Sequence, residues 1–179
     1  MAGLVPAIHA FSVPREKAWM PGLKPGMTLR EMSMLKREDI AGVYRQLGFE
    51  VLDAGGKVIE SDYNCASQIM YSPDGYVGVI SAPAGRPKVS GSDHRTDLNG
   101  ATVEERAQAA SNLTCYAGRY ELTDGAVHHR IEMALNPNLI GQTLIRRVHI
   151  DGPNLTLSSV PDARGQVRRI MWRRVDAES

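Results

Sequence analysis

The segment from Cys115 to Met133 constrains the fold more than any other, because a two-residue turn divides it into two alternating halves. Asp124-Gly125 tolerates positive φ at both positions, which the tightest β-hairpin turns require. That turn sets the strand register and places Tyr120 opposite His129. Side chains alternate across a strand. One face therefore carries Gly118, Tyr120, Leu122, Val127, His129, Ile131 and Met133, and the other carries Ala117, Arg119, Glu121, Ala126, His128, Arg130 and Glu132.

The two faces of this hairpin differ in polarity. The first is apolar except for one phenol and one imidazole, Tyr120 and His129, which are expected to be cross-strand neighbours. The second is mostly charged and belongs in water. Because an apolar sheet face has to be covered, we expect the first face to line the inside of a small barrel.

Further alternating segments, separated by turn residues, extend this pattern along the chain. A type I turn is predicted at Ser72-Pro73-Asp74-Gly75. A helix is predicted over 102–110, because Thr102-Val103-Glu104-Glu105 is a capping box, and it is expected to close one end of the sheet. A helical turn is predicted over 36–40, and residues 82–101 are expected to form a long loop. The predicted strands are 43–52, 67–71, 76–80, 115–123, 126–133, 143–150, 155–160 and 167–175.

Eight strands in meander order predict an all-β fold. We expect an eight-stranded up-and-down antiparallel barrel with one inserted helix and an irregular N-terminal arm. Prolines interrupt the first part of the chain, so residues 1–34 are predicted to be an irregular, disordered extension and residues 35–179 the barrel domain. Residues 1–31 are predicted to be dispensable. The alternative for the extension is an arm that docks on the barrel.

Composition narrows the classes of function. The 179 residues carry a formal charge of +1, so nothing draws the chain globally to nucleic acid or to an anionic membrane. Two cysteines do not make a disulfide framework in a chain of this size, and the N-terminus is a poor signal peptide. We therefore expect a cytoplasmic protein. The sequence has no glycine-rich nucleotide loop and no catalytic motif, and we predict no cofactor.

Short motifs spread over roughly residues 38–175 form a recognisable set. They are Gly42-Val43-Tyr44-Arg45, Met70-Tyr71-Ser72-Pro73-Asp74-Gly75-Tyr76, Tyr116-Ala117-Gly118-Arg119-Tyr120, Val127-His128-His129, Asn136-Pro137-Asn138-Leu139-Ile140-Gly141, Arg146, Leu155-Thr156-Leu157 and Trp172-Arg173-Arg174. In this order and spacing they resemble the bacterial and fungal lipocalin-like domain family, a branch of the calycin-type β-barrels. The resemblance implies a lipocalin-like barrel and says little about activity.

The chain departs from that family at one informative position. Where the family has Gly-x-Trp on its first strand, this sequence has Gly42-Val43-Tyr44. The resemblance implies that Arg174 stacks on this ring at the closed end of the barrel. Stacking on tyrosine is a weaker cation–π contact than stacking on tryptophan, so a looser closed end is expected.

The candidate site residues all belong to the predicted inward faces. Arg146 points inward if its neighbours Leu144 and Val148 do, and it has no obvious inward carboxylate partner. His129 is either a core histidine bonded to Tyr120 or a group that contacts ligand or moves a proton. His128 and His129 point to opposite faces, so no metal site is predicted. The predicted ligand-binding residues are Tyr120, His129, Ile131, Arg146 and Trp172.

Three functions fit such a barrel. The first is a binding module that holds a small, mostly apolar or weakly acidic molecule near Arg146 and His129. The second is a cofactor-independent isomerase or cyclase, with His129 moving a proton and Tyr120 or Arg146 stabilising negative charge. The third is a structural or partner-binding barrel with a packed interior. A lumen of about 300 Å³ or more separates the first two from the third.

Overall fold

The computed structural model describes residues 35–90 and 98–175, and the predicted extension over residues 1–34 lies outside these ranges. The helices are α1 (Arg37–Ile40), α2 (Val103–Ala110) and a single 3-10 turn (Pro137–Leu139). The strands are β1 (Gly42–Leu52), β2 (Val58–Asp62), β3 (Gln68–Tyr71), β4 (Tyr76–Ser81), β5 (Thr114–Thr123), β6 (Ala126–Ala134), β7 (Thr143–Asp151), β8 (Asn154–Ser159) and β9 (Val167–Arg174).

Eight of these strands form the predicted closed antiparallel barrel. Neighbours follow in the order β1, β3, β4, β5, β6, β7, β8 and β9, and β1 pairs with β9 from Tyr44–Arg174 to Leu52–Val167 to close the ring. The tight hairpin turns β3–β4, β5–β6 and β7–β8 all lie at one end. The longer connections lie at the other end, so the two ends of the barrel are built differently.

The ninth strand, β2, was not predicted. All five of its side chains are exposed, so it lacks the alternation that reveals a half-buried strand. It pairs only with the second half of β1, whereas β3 pairs with Gly42–Arg45 of the same strand edge. The β1–β2 hairpin therefore extends the wall of the barrel at the end with the long connections.

The central hairpin has the predicted register, with Tyr120 opposite His129 and Leu122 opposite Val127. Asp124 and Gly125 have φ of 51° and 72°, so both central positions of the turn use left-handed backbone. The prediction fails at Met133, which is 63% exposed rather than inward. At a bulge in this hairpin, Gly118 pairs with Ile131 but its neighbour Ala117 pairs with Met133, so one residue of β6 has no partner on β5. This extra residue reverses the inward–outward alternation of β6 beyond Ile131.

The end with the tight turns is plugged by α1 and not by the longer helix. Ile40 is fully buried there, beside Tyr44 and Tyr71. Arg174 stacks on the Tyr44 ring at 4.9 Å, as predicted, and donates to the carbonyl oxygens of Ala41 and Asp39. None of the residues of α2 is buried, so this helix does not close the sheet as expected.

In the described ranges, no helix has the length and apolar character needed to cross a membrane. Cys65 and Cys115 are free thiols, both half-buried, in agreement with the expectation that they form no disulfide.

Candidate functional site

A cavity of about 640 Å³ occupies the barrel on the side of the long connections. Apolar and polar side chains both line it, and exposed residues such as Glu60, Asp62 and Asn112 mark its mouth. The volume is about twice what a small-ligand site requires. A fully packed interior is therefore not the state of this barrel. The apolar lining consists of Phe49, Ile69, Val79, Ala82, Pro83, Leu113, Leu139, Leu144, Leu157, Ile170 and Trp172.

A chain of three hydrogen-bonded rings crosses the buried interior of the barrel and reaches this cavity. The Nε2 atom of His129 lies 2.8 Å from the hydroxyl of Tyr71, and its Nδ1 atom lies 2.9 Å from the hydroxyl of Tyr116. His129 and Tyr116 line the cavity, whereas Tyr71 packs behind them against Tyr44 and Tyr120. Both nitrogens of the imidazole are thus occupied.

The surroundings keep all three of these hydrogen-bonded rings uncharged. Burial, followed by the nearby positive charge of Arg146, lowers the pKa of His129 from 6.5 to about 3. Burial raises the pKa of Tyr116 to about 12 and raises that of Tyr71 well above 10. At neutral pH His129 is therefore an uncharged imidazole between two protonated phenols. A group with this pKa and with both nitrogens bonded is a poor general base.

The hydrogen bond between Tyr120 and His129, which was one of the two interpretations of His129, does not form. The Tyr120 hydroxyl donates instead to the carbonyl oxygen of Ser72 at 2.8 Å, at the closed end. Directly opposed residues have side chains that run parallel, and the Tyr120 ring extends toward the 72–75 turn, where Arg37 lies over it. Tyr71 and Tyr116 are the hydrogen-bond partners of His129 in place of Tyr120.

Arg146 faces inward, as the alternation of β7 predicts, and lines the cavity. It is half-buried and donates to the carbonyl oxygen of its neighbour Ile145 at 2.9 Å. No described carboxylate forms a salt bridge with it, although Arg119, Arg130 and Arg169 each have one. A half-buried guanidinium with most of its donors unused is suited to an acceptor brought by a ligand.

Trp172 closes the wall beside β1, is 2% exposed and lines the cavity. Its indole Nε1–H is buried and has no hydrogen-bond partner in the described part of the chain. An unpaired buried donor is unfavourable, so native structures contain few of them.

The structure thus brings together three of the five predicted site residues. His129, Arg146 and Trp172 line the cavity, whereas Tyr120 lies at the closed end and Ile131 is buried in the core and does not line the cavity. Tyr116 was missed, although alternation back from Tyr120 through Gly118 places it on the same face. Tyr71 was missed because no local pattern connects β3 with β6.

The mouth of the cavity is polar. Arg168 lies 3.9 Å over the Phe49 ring, and both side chains line the opening. Further in, Ser81 donates to Gln46 at 3.3 Å and shares a 2.8 Å hydrogen bond with Ser67. These groups satisfy one another, so they are less available to a ligand than Arg146 is. No cluster of histidine, cysteine or acidic side chains suited to a metal ion occurs among the described residues.

An eight-stranded antiparallel barrel with one closed end and one deep internal cavity defines a lipocalin-type architecture. The lipocalin-like domain family model matches residues 41–175, which is the whole described barrel and the segment between its described parts. The chain belongs to this family. It is also similar to the 4'-hydroxy-3'-methoxypropiophenone carrier protein ppsC of Aspergillus oryzae, with 38% identity over 89 residues that cover 45% of this chain and 79% of the relative.

Proposed function

We propose that this protein is a carrier that holds one small, mostly apolar molecule in the barrel cavity, with a polar oxygen of that molecule near Arg146. The observation that carries the proposal is the cavity of about 640 Å³, in which apolar walls surround a guanidinium without a carboxylate partner. Apolar walls favour burial of a hydrocarbon or aromatic body, and the few polar groups fix its orientation.

The similarity to a named carrier of an aromatic ketone agrees with this proposal. A molecule with an aromatic body and a carbonyl oxygen fits the chemistry of the lining. We propose that Trp172 contacts the body of the ligand and that Arg146 and the His129 chain contact its oxygen.

Proton transfer by His129, as in an isomerase or cyclase, is the weaker alternative. Its pKa of about 3 leaves it unprotonated at neutral pH, and Tyr71 and Tyr116 occupy both nitrogens. An acid or base of a catalytic pair needs a pKa nearer to the working pH and a free nitrogen.

The test is a binding panel of small aromatic and fatty carboxylates, their methyl esters and aryl ketones, measured by titration calorimetry. We expect wild type to bind members of the panel. Arg146→Met should weaken carboxylates by about tenfold or more and esters by a smaller factor, because the guanidinium forms a hydrogen bond of about 1.5–3 kcal/mol with the oxygen of either compound and an ion pair only with a carboxylate.

The matched control is Arg147→Met, which removes an exposed guanidinium from the opposite face of the same strand. It should bind every member like wild type. A folded wild type that binds no compound of the panel would contradict the carrier function. Equal affinities of Arg146→Met and Arg147→Met for every compound of the panel would show that Arg146 is not part of the binding site.

A further inference from the structure

The chain Tyr71–His129–Tyr116 has a direction, and that direction determines what the cavity presents to a ligand. A neutral imidazole carries one N–H and one lone pair, so His129 donates to one tyrosine and accepts from the other. If it donates to Tyr116, the hydroxyl proton of Tyr116 is left for the cavity. If it accepts from Tyr116, the hydroxyl proton of Tyr116 is bonded to His129, and Tyr116 offers the cavity only its oxygen lone pairs.

Tyr71 decides between these two arrangements. It is 3% exposed, and in the described part of the chain its hydroxyl has no hydrogen-bond partner other than Nε2 of His129. Its O–H must therefore donate to Nε2 or stay buried without an acceptor, and buried donors are rarely left unpaired. With Nε2 accepting, the imidazole proton is on Nδ1 and donates to the Tyr116 oxygen at 2.9 Å.

Two further polar groups that line the cavity, Arg146 and Trp172, are also donors. The Arg146 guanidinium carries only hydrogen-bond donors. In the described part of the protein it forms one hydrogen bond, to the carbonyl oxygen of Ile145. Trp172 has a buried N–H with no partner. The inner cavity therefore matches an oxygen that accepts hydrogen bonds, whereas a ligand that only donates would find few partners.

We propose that Tyr116 is a specificity-determining residue: its hydroxyl donates to the carbonyl oxygen of the bound molecule, and Tyr71 and His129 hold it in that orientation. The ligand class is then a ketone or related carbonyl compound with an apolar or aromatic body. This inference rests on the proposed carrier function and deepens it.

The binding test uses propiophenone, which has a carbonyl acceptor and no donor, and propylbenzene, its hydrocarbon analogue. We expect wild type to bind the ketone about tenfold more tightly than the hydrocarbon. Tyr116→Phe should reduce this preference by about fivefold, mainly by weakening the ketone, because one of the donors to the carbonyl oxygen is lost. The control Tyr76→Phe removes an exposed hydroxyl on the outer face of β4 and should bind both compounds like wild type.

The outcomes separate this inference from the carrier function. Equal binding of the two compounds by wild type, or an undiminished preference for the ketone in Tyr116→Phe, overturns the role of Tyr116 and leaves the carrier function standing. Absence of binding of both compounds, together with failure of the wider panel, overturns both.

A second measurement needs neither a ligand nor a folded Tyr116 variant. In long-range ¹H–¹⁵N spectra of the wild-type protein, protonated and unprotonated imidazole nitrogens have distinct shifts, and the His129 signals are those lost in His129→Phe. We expect Nδ1 protonated and Nε2 unprotonated from pH 8 down to pH 5. A proton on Nε2 would reverse the chain and overturn the proposal.

Discussion

His129 is a titratable residue that the fold removes almost completely from water. It is 1% exposed and bonds to two tyrosine hydroxyls, and its imidazolium form would have to exist beside the positive charge of Arg146. Its protonation is therefore coupled to unfolding, because the unfolded chain can take up a proton that the folded barrel excludes.

The pH dependence of stability should show this coupling. The folded pKa of His129, about 3, lies below its unfolded value of about 6.5, so its contribution is complete above pH 6.5 and is lost as the pH falls toward 3. Between pH 7 and pH 5, wild type should lose about 2 kcal/mol of unfolding free energy through this group alone. Denaturant unfolding at both pH values measures the loss.

His129→Phe should lack that part of the pH dependence, and the carboxylates common to both proteins cancel in the difference. At pH 7 the variant should be less stable by about 1–3 kcal/mol, because the buried Tyr71 hydroxyl loses its partner. His128→Phe, on the outer face of the same strand, should keep the wild-type pH dependence. Parallel pH profiles for wild type and His129→Phe would contradict the buried neutral histidine.

At the scale of elements, the β5–β6 pair combines a tight turn with a bulge. The bulge brings the carbonyl oxygen of Arg130 so close to Gly118 that any Cβ at this position would overlap it. The same bulge returns Ala134 to the side of Tyr116 and exposes Met133. Glycine at this position is thus required by close backbone approach and not by φ.

Gly118→Ala should therefore be strongly destabilising, by about 2–4 kcal/mol, because the obstacle is backbone and the bulge would have to shift. Gly78→Ala is the matched control on the neighbouring strand, where the new Cβ would lie 3.6 Å from the flexible end of Met70. It should change the unfolding free energy by about 0.5 kcal/mol or less. Similar losses in both variants would show that the bulge is not rigid.

In the molecule as a whole, one end of the barrel is closed and the other carries the mouth of the cavity. One end carries the tight turns and is sealed by α1, Tyr44 and Arg174, and the other carries the long connections and the cavity mouth. Tyr44 is 2% exposed, and its hydroxyl donates to Ile40 at 2.9 Å. A smaller tyrosine in place of the family's tryptophan is thus compensated by hydrogen bonds to backbone and to Arg174.

Arg174→Met should loosen this seal. We expect a loss of about 1–3 kcal/mol, since charged donors to two backbone carbonyls and to Tyr44 disappear, and a fall in Tm of about 2–4 °C for each kcal/mol. In the Arg174→Met variant, amide hydrogen exchange should show that Arg37–Ile40 opens faster than the β5–β6 hairpin. Arg173→Met, which removes an exposed neighbour, should leave both readouts unchanged, and unaltered exchange at α1 in Arg174→Met would contradict the sealing role.

Local rules determined a large part of this protein. The 124–125 turn needs a positive φ that only a few residues tolerate, and strand alternation from this turn correctly predicted that His129 points inward. The inward direction of Arg146 followed from alternation along β7. The Thr102 capping box predicted α2 from bonds within one turn: the Thr102 hydroxyl accepts from the backbone N–H of Glu105, and the Glu105 carboxylate accepts from the backbone N–H of Thr102. These features depend only on residues that are close to one another in the sequence.

Tertiary structure decided the rest, because the groups concerned meet only when the barrel closes. Tyr71 and His129 are separated by 58 positions in the chain, and nothing local selects Tyr71 over Tyr120 as the partner of the imidazole. The exposed strand β2 has no burial pattern and exists only because β1 offers it an open edge. The bulge at Gly118 and the position of the cavity follow from closing eight twisted strands around side chains of unequal size, which is a property of the whole barrel.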